Sequence, residues 1–382
     1  MAGIMFGRGE TMNIPTTMKA ARMHEIGGPL ILEQLETPQP GPYDVLVRVR
    51  ACGIVPNLAN ILANWSTWYP EYPLPALPAI FGLDPAGEIV AVGKDVLGFE
   101  VGQRVYVNPA RSCGTCDACL TGDQVLCDYY TFNGYFGHTS LSWKMFERYP
   151  YAGFGEYMTA PVSALVPIPD SMSYEQAARL GYVGTAYAGL KKGKVKVTST
   201  VLVNGASGTL GLSGVLCALA MGVRRILGTG RDKELLAAVK AIAPDRIEVF
   251  STLDGSLKDW VKEQTNGAGA DVVLDCLGPG SPTETFLDGL YSLARGGMLV
   301  NVGAVQGELP IMLHYITTAN RLLVGSNWFS TEEGRELAAL AESGALKMSV
   351  FEHEGRPLEE INEAISGMGA RKGGFSNFVI YL

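Results

Sequence analysis

The chain has 382 residues, of which 47% are hydrophobic and 18% charged. This length suits two domains, and the composition excludes a disordered chain. The net charge of −8 argues against nucleic-acid or anionic-membrane partners, and the longest apolar stretch, about 210–223, is too short and glycine-rich to span a bilayer. Residues 1–17 carry no targeting pattern and the cysteines do not resemble a secreted disulfide framework, so we expect a cytoplasmic protein.

The first half of the chain predicts a β-rich domain. Its strand candidates, separated by turns rich in glycine and proline, are Ile31–Leu35, Asp44–Arg50, Gly87–Val92 and Gln103–Val107. A helix is predicted to begin near Ser173, because Ser-Tyr-Glu-Gln has the form of a capping box.

From about Lys196 the pattern alternates between strands and helices. The strand candidates are Val201–Val203, Arg225–Gly228, Asp271–Asp275, Met298–Val302 and Leu322–Gly325, and an apolar helix is predicted over Gly208–Met221. Repeated βαβ units predict a doubly wound parallel sheet, hence an α/β fold. The tail predicts a helix, Thr331–Glu342, and a last strand, Phe378–Leu382.

A glycine-rich turn between a predicted strand and a predicted helix indicates a dinucleotide site. Gly205, Gly208 and Gly211 have the spacing Gly-x-x-Gly-x-x-Gly, which lets backbone N–H groups approach a pyrophosphate at a helix N-terminus. The alternative interpretation is a tight turn with no ligand. The predicted cofactor contacts are Gly205, Ser207, Gly208, Thr209, Leu210, Gly230, Arg231, Val302 and Gly303.

The end of the second strand favours NADP(H) over NAD. An NAD site places Asp or Glu there to hold the ribose 2′-hydroxyl, but this chain has Gly230 followed by Arg231. A guanidinium can pair with a 2′-phosphate through two hydrogen bonds. Asp232 is the competing interpretation, because a small shift of register would make it the ribose ligand.

Four cysteines predict a structural metal site. Cys113, Cys116, Cys119 and Cys127 follow the spacing Cys-x2-Cys-x2-Cys-x7-Cys. Four thiolates suit a tetrahedral Zn²⁺ and leave no open position for chemistry. An iron–sulfur cluster is the rival, since similar runs occur in ferredoxin-type proteins.

Together with the glycine turn and the cysteines, three further motifs resemble the zinc-containing alcohol dehydrogenase branch of the medium-chain dehydrogenase/reductase superfamily. They are Ala51-Cys-Gly-Ile54, Gly87-Glu-Ile-Val-Ala-Val-Gly93 and Gly102-Gln-Arg-Val105. The resemblance implies a GroES-like β-barrel catalytic domain at 18–172 with a zinc lobe at 108–130, a Rossmann domain at 173–328 and a return to the catalytic domain at 329–382. It also implies a small-molecule substrate in the cleft between the domains and a homodimer or homotetramer. Residues 1–17 lie outside it, as an extension or as a misassigned start.

The chain departs from this family at the catalytic zinc. The family's first zinc-binding Cys falls on Val55, its zinc-binding His on Leu83, and its third ligand on Gly181 or Tyr182. Valine and leucine cannot coordinate zinc. We therefore expect one structural zinc per chain and no catalytic zinc.

Hydride transfer belongs to the nicotinamide and does not need the metal, but the developing negative charge then needs another stabiliser. The resemblance places Asn57, Asp84 and Tyr182 near the former metal site, either as catalytic groups or as filling for the space. The leading hypothesis is an NADPH-dependent reductase of conjugated carbonyl compounds, with C=C reduction favoured. The alternatives are a zinc-independent carbonyl reductase or alcohol dehydrogenase and a non-catalytic NADPH-binding sensor or subunit.

Two stretches are unusually aromatic, Trp65–Tyr69 and Tyr129–Phe154. The resemblance brings both loops to the substrate cleft, where they would suit an apolar or planar substrate. Packing around the zinc lobe or a subunit contact explains them equally well. His138 lies in the second stretch and is a weaker candidate for an acid.

Overall fold

The computed structural model describes residues 14–382, so residues 1–13 of the predicted extension lie outside the described residues. The chain forms two compact units. The first contains residues up to Asp170 with Gly355–Ile365 and Val379–Leu382, and the second contains Ser171–Glu354 with Ser366–Phe378. The tail 329–382 is thus divided between the units, whereas the domain boundaries from sequence assign it to one.

The elements up to Asp170 are mostly strands. In chain order they are β1 (Thr17–Met23), β2 (Leu30–Glu36), β3 (Asp44–Gly53), α1 (Leu58–Trp68), β4 (Ala79–Ile80), β5 (Asp84–Val92), β6 (Arg104–Val107), β7 (Ala110–Arg111), α2 (Asp117–Leu120), β8 (Thr131–Phe132), α3 (Trp143–Arg148), β9 (Tyr157–Pro161) and β10 (Leu165–Pro167).

The remaining elements alternate between strands and helices. They are α4 (Tyr174–Ala177), α5 (Leu180–Lys192), β11 (Thr200–Asn204), α6 (Thr209–Ala220), β12 (Arg225–Gly230), α7 (Lys233–Ala241), β13 (Ile247–Ser251), α8 (Leu257–Gln264), β14 (Ala270–Asp275), α9 (Thr283–Tyr291), β15 (Leu293–Asn301), α10 (Leu313–Thr317), β16 (Leu322–Gly325), α11 (Thr331–Glu342), β17 (Glu352–Pro357), α12 (Ile361–Gly367) and β18 (Ser376–Tyr381).

Most strands of the first unit belong to a sheet of order β10-β6-β5-β3-β18-β17, with β9 also pairing β3. The pairs among β10, β6, β5, β3 and β9 and the pair of β3 with β18 are antiparallel. A second sheet has the order β2-β1-β4. Strand β3 is buried along most of its length, and Val45, Leu46, Val47 and Val49 have no exposed surface. This β-rich architecture confirms the predicted GroES-like domain.

The second unit contains a six-stranded sheet of order β13-β12-β11-β14-β15-β16, in which every pair is parallel. The order reverses between β11 and β14, which is the doubly wound Rossmann arrangement, and ligands bind such sheets at the carboxyl ends of the strands near this reversal. Leu202, Val273 and Leu299 contribute to a buried core on one face of the sheet.

Local sequence signals account for several element boundaries. The capping box at Ser173 is present, since its side chain accepts from the Gln176 N–H. Strand β13 is not among the strands that the sequence predicts, although Ile247 is fully buried. No helix within residues 14–382 is long and apolar enough to cross a membrane.

Candidate active site

The turn after β11 has the geometry that a dinucleotide pyrophosphate requires. Gly205 has a φ of +85°, a conformation that glycine adopts at low cost, and a Cβ on Gly211 would collide with the Gly205 carbonyl oxygen. Gly208 is the N-cap of α6 and offers no side chain to its first amide groups. These N–H groups, at the predicted contacts Thr209 and Leu210, are therefore available to an anion.

At the end of β12, Gly230 is followed by Arg231 and Asp232, whose side chains have different roles. A Cβ on Gly230 would lie 2.7 Å from the Ser207 Oγ, so a residue without a side chain keeps β12 close to the glycine turn. The Arg231 side chain is exposed, without a hydrogen bond or ion pair to the rest of residues 14–382. Asp232 is the N-cap of α7, and its Oδ1 accepts from the N–H groups of Glu234 and Leu235 at 2.9 and 3.0 Å.

A buried polar network lies beside the glycine turn. The Thr229 hydroxyl donates to the Asn204 Oδ1 at 2.9 Å, and the Asn204 Nδ2 donates to the Asp275 Oδ1 at 2.9 Å. The other carboxyl oxygen of Asp275 is buried and has no partner in the described part of the chain. Burial raises the pKa of Asp275 to about 7, against the lowering effect of donation from Asn204 and the Leu277 N–H.

The predicted contacts Val302 and Gly303 follow β15 and join this network through the backbone. Their N–H groups both donate to the Asp275 carbonyl oxygen at 3.0 Å. A Cβ on Gly303 would collide with the Leu277 carbonyl oxygen, so this turn also passes close to the chain after β14. The predicted cofactor contacts therefore all lie at or just beyond the carboxyl ends of β11, β12 and β15, at one edge of the sheet.

The four predicted cysteines form a single cluster. Their Sγ atoms all lie within 4.8 Å of one another, with Cys116–Cys119 at 3.6 Å and Cys113–Cys119 at 3.9 Å. A zinc ion 2.3 Å from each of four tetrahedral sulfurs separates them by about 3.8 Å. The donor set thus fits zinc, whereas an iron–sulfur cluster, several atoms wide, needs more room between its thiolates.

Backbone groups around the cluster favour thiolates. Burial acts to raise the pKa of Cys113, but donation from the Thr115 N–H and hydroxyl and from the Cys116 N–H outweighs it and lowers this pKa to about 6. Cys127 also accepts from N–H groups, those of Cys113 at 3.3 Å and Tyr129 at 3.4 Å, but burial outweighs them and raises the pKa of Cys127 to about 12. Because α2 contributes no buried residue, the lobe has little core of its own to hold this arrangement.

Val55 and Leu83, which stand where the resemblance expects zinc ligands, lie at one end of the strand pair β3–β5. Gly53, the last residue of β3, pairs with Asp84, the first residue of β5. Val55 comes two residues after this pair and Leu83 one residue before it, and they are 3% and 4% exposed. The β3–β5 register therefore brings two apolar side chains to the place where the resemblance expects two metal ligands.

Asn57 lies just beyond Val55, as the N-cap of α1. Its Oδ1 accepts from the Asn60 Nδ2 at 2.9 Å, one turn further along the chain. This hydrogen bond fixes the amide so that the Nδ2 of Asn57 is the group left to donate to another molecule.

Asp84 is almost fully buried and belongs to a polar pair. It is 1% exposed, and the Tyr106 hydroxyl donates to its Oδ1 at 2.7 Å. Burial, followed by the charge of Asp84, raises the pKa of Tyr106 well above its ordinary range, and the same two causes raise the pKa of Cys52. Because Asp84 is buried, its carboxylate is poorly placed to contact a substrate directly. Its role is to hold the Tyr106 hydroxyl.

Tyr182 belongs to the second unit, near the start of α5, and is partly buried. The Arg179 guanidinium lies 5.5 Å from the centre of the Tyr182 ring and 4.8 Å from that of Phe351. Arg179 is itself buried and donates to the Gly374 carbonyl oxygen at 2.9 Å. A fixed positive charge thus faces the Tyr182 ring.

The two aromatic stretches meet in the first unit. Trp65 on α1 stacks on Phe136 with ring centres 4.0 Å apart, and Tyr69 lies 4.6 Å from Trp65. His138 packs edge-on against Phe132 at 4.5 Å, so its ring belongs to the same cluster. Trp65, Tyr69 and Phe136 are partly exposed, so part of this aromatic surface remains open.

Comparisons with known proteins agree with this architecture. Residues 41–170 match the family described as alcohol dehydrogenase GroES-like domain, and residues 209–343 match zinc-binding dehydrogenase. An alcohol dehydrogenase of Geobacillus stearothermophilus is 31% identical over 92% of this chain and 96% of its own length. The chain belongs to the zinc-type medium-chain dehydrogenase/reductase superfamily. An NAD-dependent alcohol dehydrogenase of Sulfurisphaera tokodaii is 30% identical over 92% of the chain and 96% of its own length. The crystal structure of AibC covers 99% of both chains with a TM-score of 0.81 and 28% identity.

This medium-chain dehydrogenase/reductase contains site residues that sequence reasoning did not identify. Asp275 ends a predicted strand at the carboxyl edge beside the glycine turn, so its position was a usable signal. Tyr106 and Arg179 carried none, because a tyrosine inside a strand and an arginine before a helix are ordinary until their buried partners are known.

Proposed function

We propose that this chain is an NADPH-dependent oxidoreductase that transfers hydride to a conjugated carbonyl compound, reducing its C=C bond without a catalytic zinc. The observation that carries the proposal is the pair Val55 and Leu83, both buried and apolar, at the paired ends of β3 and β5. The family's zinc ligands belong at these two positions, and neither side chain offers a donor atom.

The loss of these ligands favours a particular class of acceptor. A zinc ion stabilises the charge that develops on a carbonyl oxygen by several kcal/mol. A conjugated C=C–C=O group disperses this charge over an enolate, so hydrogen-bond donors can meet the remaining demand. An isolated ketone concentrates the charge on one oxygen and is a poorer substrate for such a site.

The glycine turn and the neighbouring strand ends would hold NADP(H). The N–H groups at the start of α6 would receive the pyrophosphate, and Arg231 would pair with the 2′-phosphate. When bound, NADPH supplies the hydride. The role of Asp232 as a helix cap supports NADP(H) over NAD, because its Oδ1 already accepts two N–H groups.

Asn57 is proposed to hold the substrate oxygen. Its Oδ1 is engaged by Asn60, so its Nδ2 is oriented as a donor before the substrate arrives. Asp84, in this proposal, is a positioning residue that fixes the Tyr106 hydroxyl at the end of β5. Both residues flank the altered ligand positions in the chain.

Tyr182 is proposed as the proton donor to the carbon atom next to the carbonyl. The Arg179 guanidinium, 5.5 Å from the centre of the Tyr182 ring, helps to hold this tyrosine in place. Changing Tyr182→Phe should lower kcat at least tenfold while the Kd for NADPH stays within twofold. A matched Tyr174→Phe change on α4 is the control, and an unchanged kcat in Tyr182→Phe would remove this residue from the mechanism.

The aromatic surface of Trp65, Tyr69 and Phe136 is proposed to receive the apolar part of the substrate. Stacked rings with part of their faces open suit a planar or aromatic molecule. Within an enone series, kcat/KM should therefore rise from alkyl to aryl substituents, and a Trp65→Ala change should remove most of that gain.

The proposal is tested by following NADPH oxidation with matched enones, quinones and saturated ketones and then identifying the products. We expect turnover with the conjugated compounds and a saturated ketone as the enone product. An allylic alcohol would indicate a carbonyl reductase instead. No turnover with any compound, together with tight NADPH binding, would indicate a sensor or subunit.

A homodimer or homotetramer is proposed as the assembly. Strand β16 ends the Rossmann sheet on one side, and its Leu322 and Leu323 are 47% and 40% exposed. Unpaired edge strands with exposed apolar side chains are common at subunit contacts. Light scattering after size-exclusion chromatography gives the mass directly.

A further inference from the structure

A cavity of about 550 Å³ lies in the second unit at the amino ends of the sheet strands. Its wall includes residues at the starts of β15 and β16 and the loop before β14, with α8 and α10 on either side. The glycine turn lies at the carboxyl ends of the same sheet. Strands of six residues are ~20 Å long, so the cavity is separate from the dinucleotide site.

Four cationic side chains line this cavity, and no Asp or Glu does. Lys258 and Lys262 lie one turn apart on α8, so they share a face of that helix. Arg295 and Arg321 complete the set. None of the four forms an ion pair with a carboxylate within residues 14–382, although the charge of Asp288, on α9, interacts with that of Lys258.

The guanidinium of Arg321 is held in place by contacts that leave some of its N–H groups available to a ligand. Its Nε donates to the Leu293 carbonyl oxygen at 3.1 Å, and its Nη1 donates to the Tyr315 carbonyl oxygen at 2.8 Å. Its guanidinium carbon lies 3.7 Å from the centre of the Tyr315 ring. Arg321 also interacts with the Tyr315 hydroxyl, and its Nη2 group donates to no main-chain carbonyl of the described residues, so an oriented guanidinium keeps N–H groups for a ligand.

Two tyrosines give the cavity an aromatic wall. The rings of Tyr291 and Tyr315 meet edge to face at 4.9 Å. The Tyr291 hydroxyl accepts from the Met312 N–H at 3.1 Å, which leaves its own proton to donate. The cavity therefore combines a planar apolar surface with a concentration of positive charge.

We propose that this cavity is a second ligand site, for a small organic polyphosphate of nucleotide size. Four unpaired cations match the charge of a di- or triphosphate, and the tyrosine wall matches a planar ring attached to it. The volume lies within the range of small-molecule sites. The dinucleotide site does not use any of these residues, so a ligand here would bind independently of the reaction.

The test is calorimetric titration of ADP, and separately of inorganic pyrophosphate, into protein saturated with NADPH, or with NADH should that dinucleotide bind better. We expect ADP to bind with one site per chain, more tightly than pyrophosphate, and with an affinity that falls steeply with salt. The double variant Lys258→Gln, Lys262→Gln should weaken ADP at least tenfold. The control variant Lys196→Gln, Lys347→Gln removes the same charge from exposed lysines elsewhere and should bind ADP as the natural chain does.

Three results would overturn the proposal. One is the absence of ADP binding to the dinucleotide-saturated protein, and another is equal weakening in both lysine double variants. The third is a loss of ADP binding in Arg231→Ala with full binding in Lys258→Gln, Lys262→Gln, because ADP would then be entering the dinucleotide site. If the natural chain does not bind ADP and the Lys258→Gln, Lys262→Gln variant changes the oligomeric mass, the cavity is instead a contact with a second copy of the chain.

Discussion

Arg231 is the residue on which the proposed preference for NADP(H) rests. Its side chain is exposed and unpaired in the described structure, so its full hydrogen-bonding capacity is available to a 2′-phosphate. Changing Arg231→Ala should raise KM for NADPH about 10- to 100-fold, as expected for the loss of a charged pair worth roughly 1.5–3 kcal/mol, and should change KM for NADH little.

Arg224→Ala is the matched control for this change, because it removes the same charge at the amino end of β12. Steady-state kinetics with both cofactors measure the effect. A natural chain that prefers NADH, or an equal effect of the two arginine changes, would contradict the assignment to NADP(H).

The raised pKa of Asp275 predicts that the free energy of unfolding depends on pH. Its pKa is raised from 3.8 to about 7 in the folded chain, chiefly by burial. The folded state therefore holds a proton that the unfolded state has lost, and this stabilising contribution is complete below about pH 4 and is lost as the pH rises to about 7. An asparagine at this position cannot ionise, so Asp275→Asn should become more stable relative to the natural chain across this window. Urea unfolding at pH 4, 5.5 and 7.5 measures it, and a constant difference would reject the raised pKa.

Among the structural elements, the cysteine lobe depends most on a bound ion. Its helix α2 buries no side chain, and Leu120 and Leu126 are 72% and 67% exposed, so apolar packing contributes little to it. Changing Cys119→Ser should lower the zinc content well below one per chain and make the loop 113–127 sensitive to protease. NADPH binding to the second unit should persist, and metal analysis with limited proteolysis tests both effects.

Cys217→Ser is the control for the lobe. Cys217 lies on α6, buried and outside the cluster, and its Sγ is 3.4 Å from the Val183 carbonyl oxygen, to which a serine hydroxyl could still donate. Zinc content and protease resistance should match those of the natural chain. If Cys119→Ser retains one tightly bound zinc, the metal is not held by these four thiolates.

The elements also show how far sequence reasoning reached. Strands β11 and β12, helix α6 and the cap at Ser173 follow from patterns within a few residues, because burial of one face and capping are local requirements. The Gly53–Asp84 pairing that brings Val55 and Leu83 to one place is a long-range register, which no local pattern encodes. The Tyr106–Asp84 hydrogen bond and the cavity lined by Lys258 and Arg321 depend on such pairings, and so they had no signal in the sequence.

At the scale of the whole molecule, the sites for the dinucleotide and the structural metal follow the family pattern, whereas the site expected for the catalytic metal departs from it. The dinucleotide edge of the Rossmann sheet and the four thiolates of the lobe are complete, each with the donors its ligand requires. At the β3–β5 end, by contrast, apolar side chains occupy two ligand positions. Under the proposed function, cofactor binding and a structural zinc are therefore kept while the reaction at the substrate proceeds without a metal.

This combination predicts that metal content and activity can be separated. Purified protein should contain one zinc per chain, and a Leu83→His change should not create a second site, because Val55 still offers no donor. Enone reduction should survive treatment with a weak chelator that removes loosely held metal but spares four-thiolate zinc, since the proposed mechanism uses Asn57 and Tyr182 as donors in place of a Lewis acid. Zinc content and enone reduction activity are measured before and after chelation. Two zinc ions per chain, with activity lost alongside the more labile one, would assign the reaction to a metal and leave the fold and the cofactor site as described.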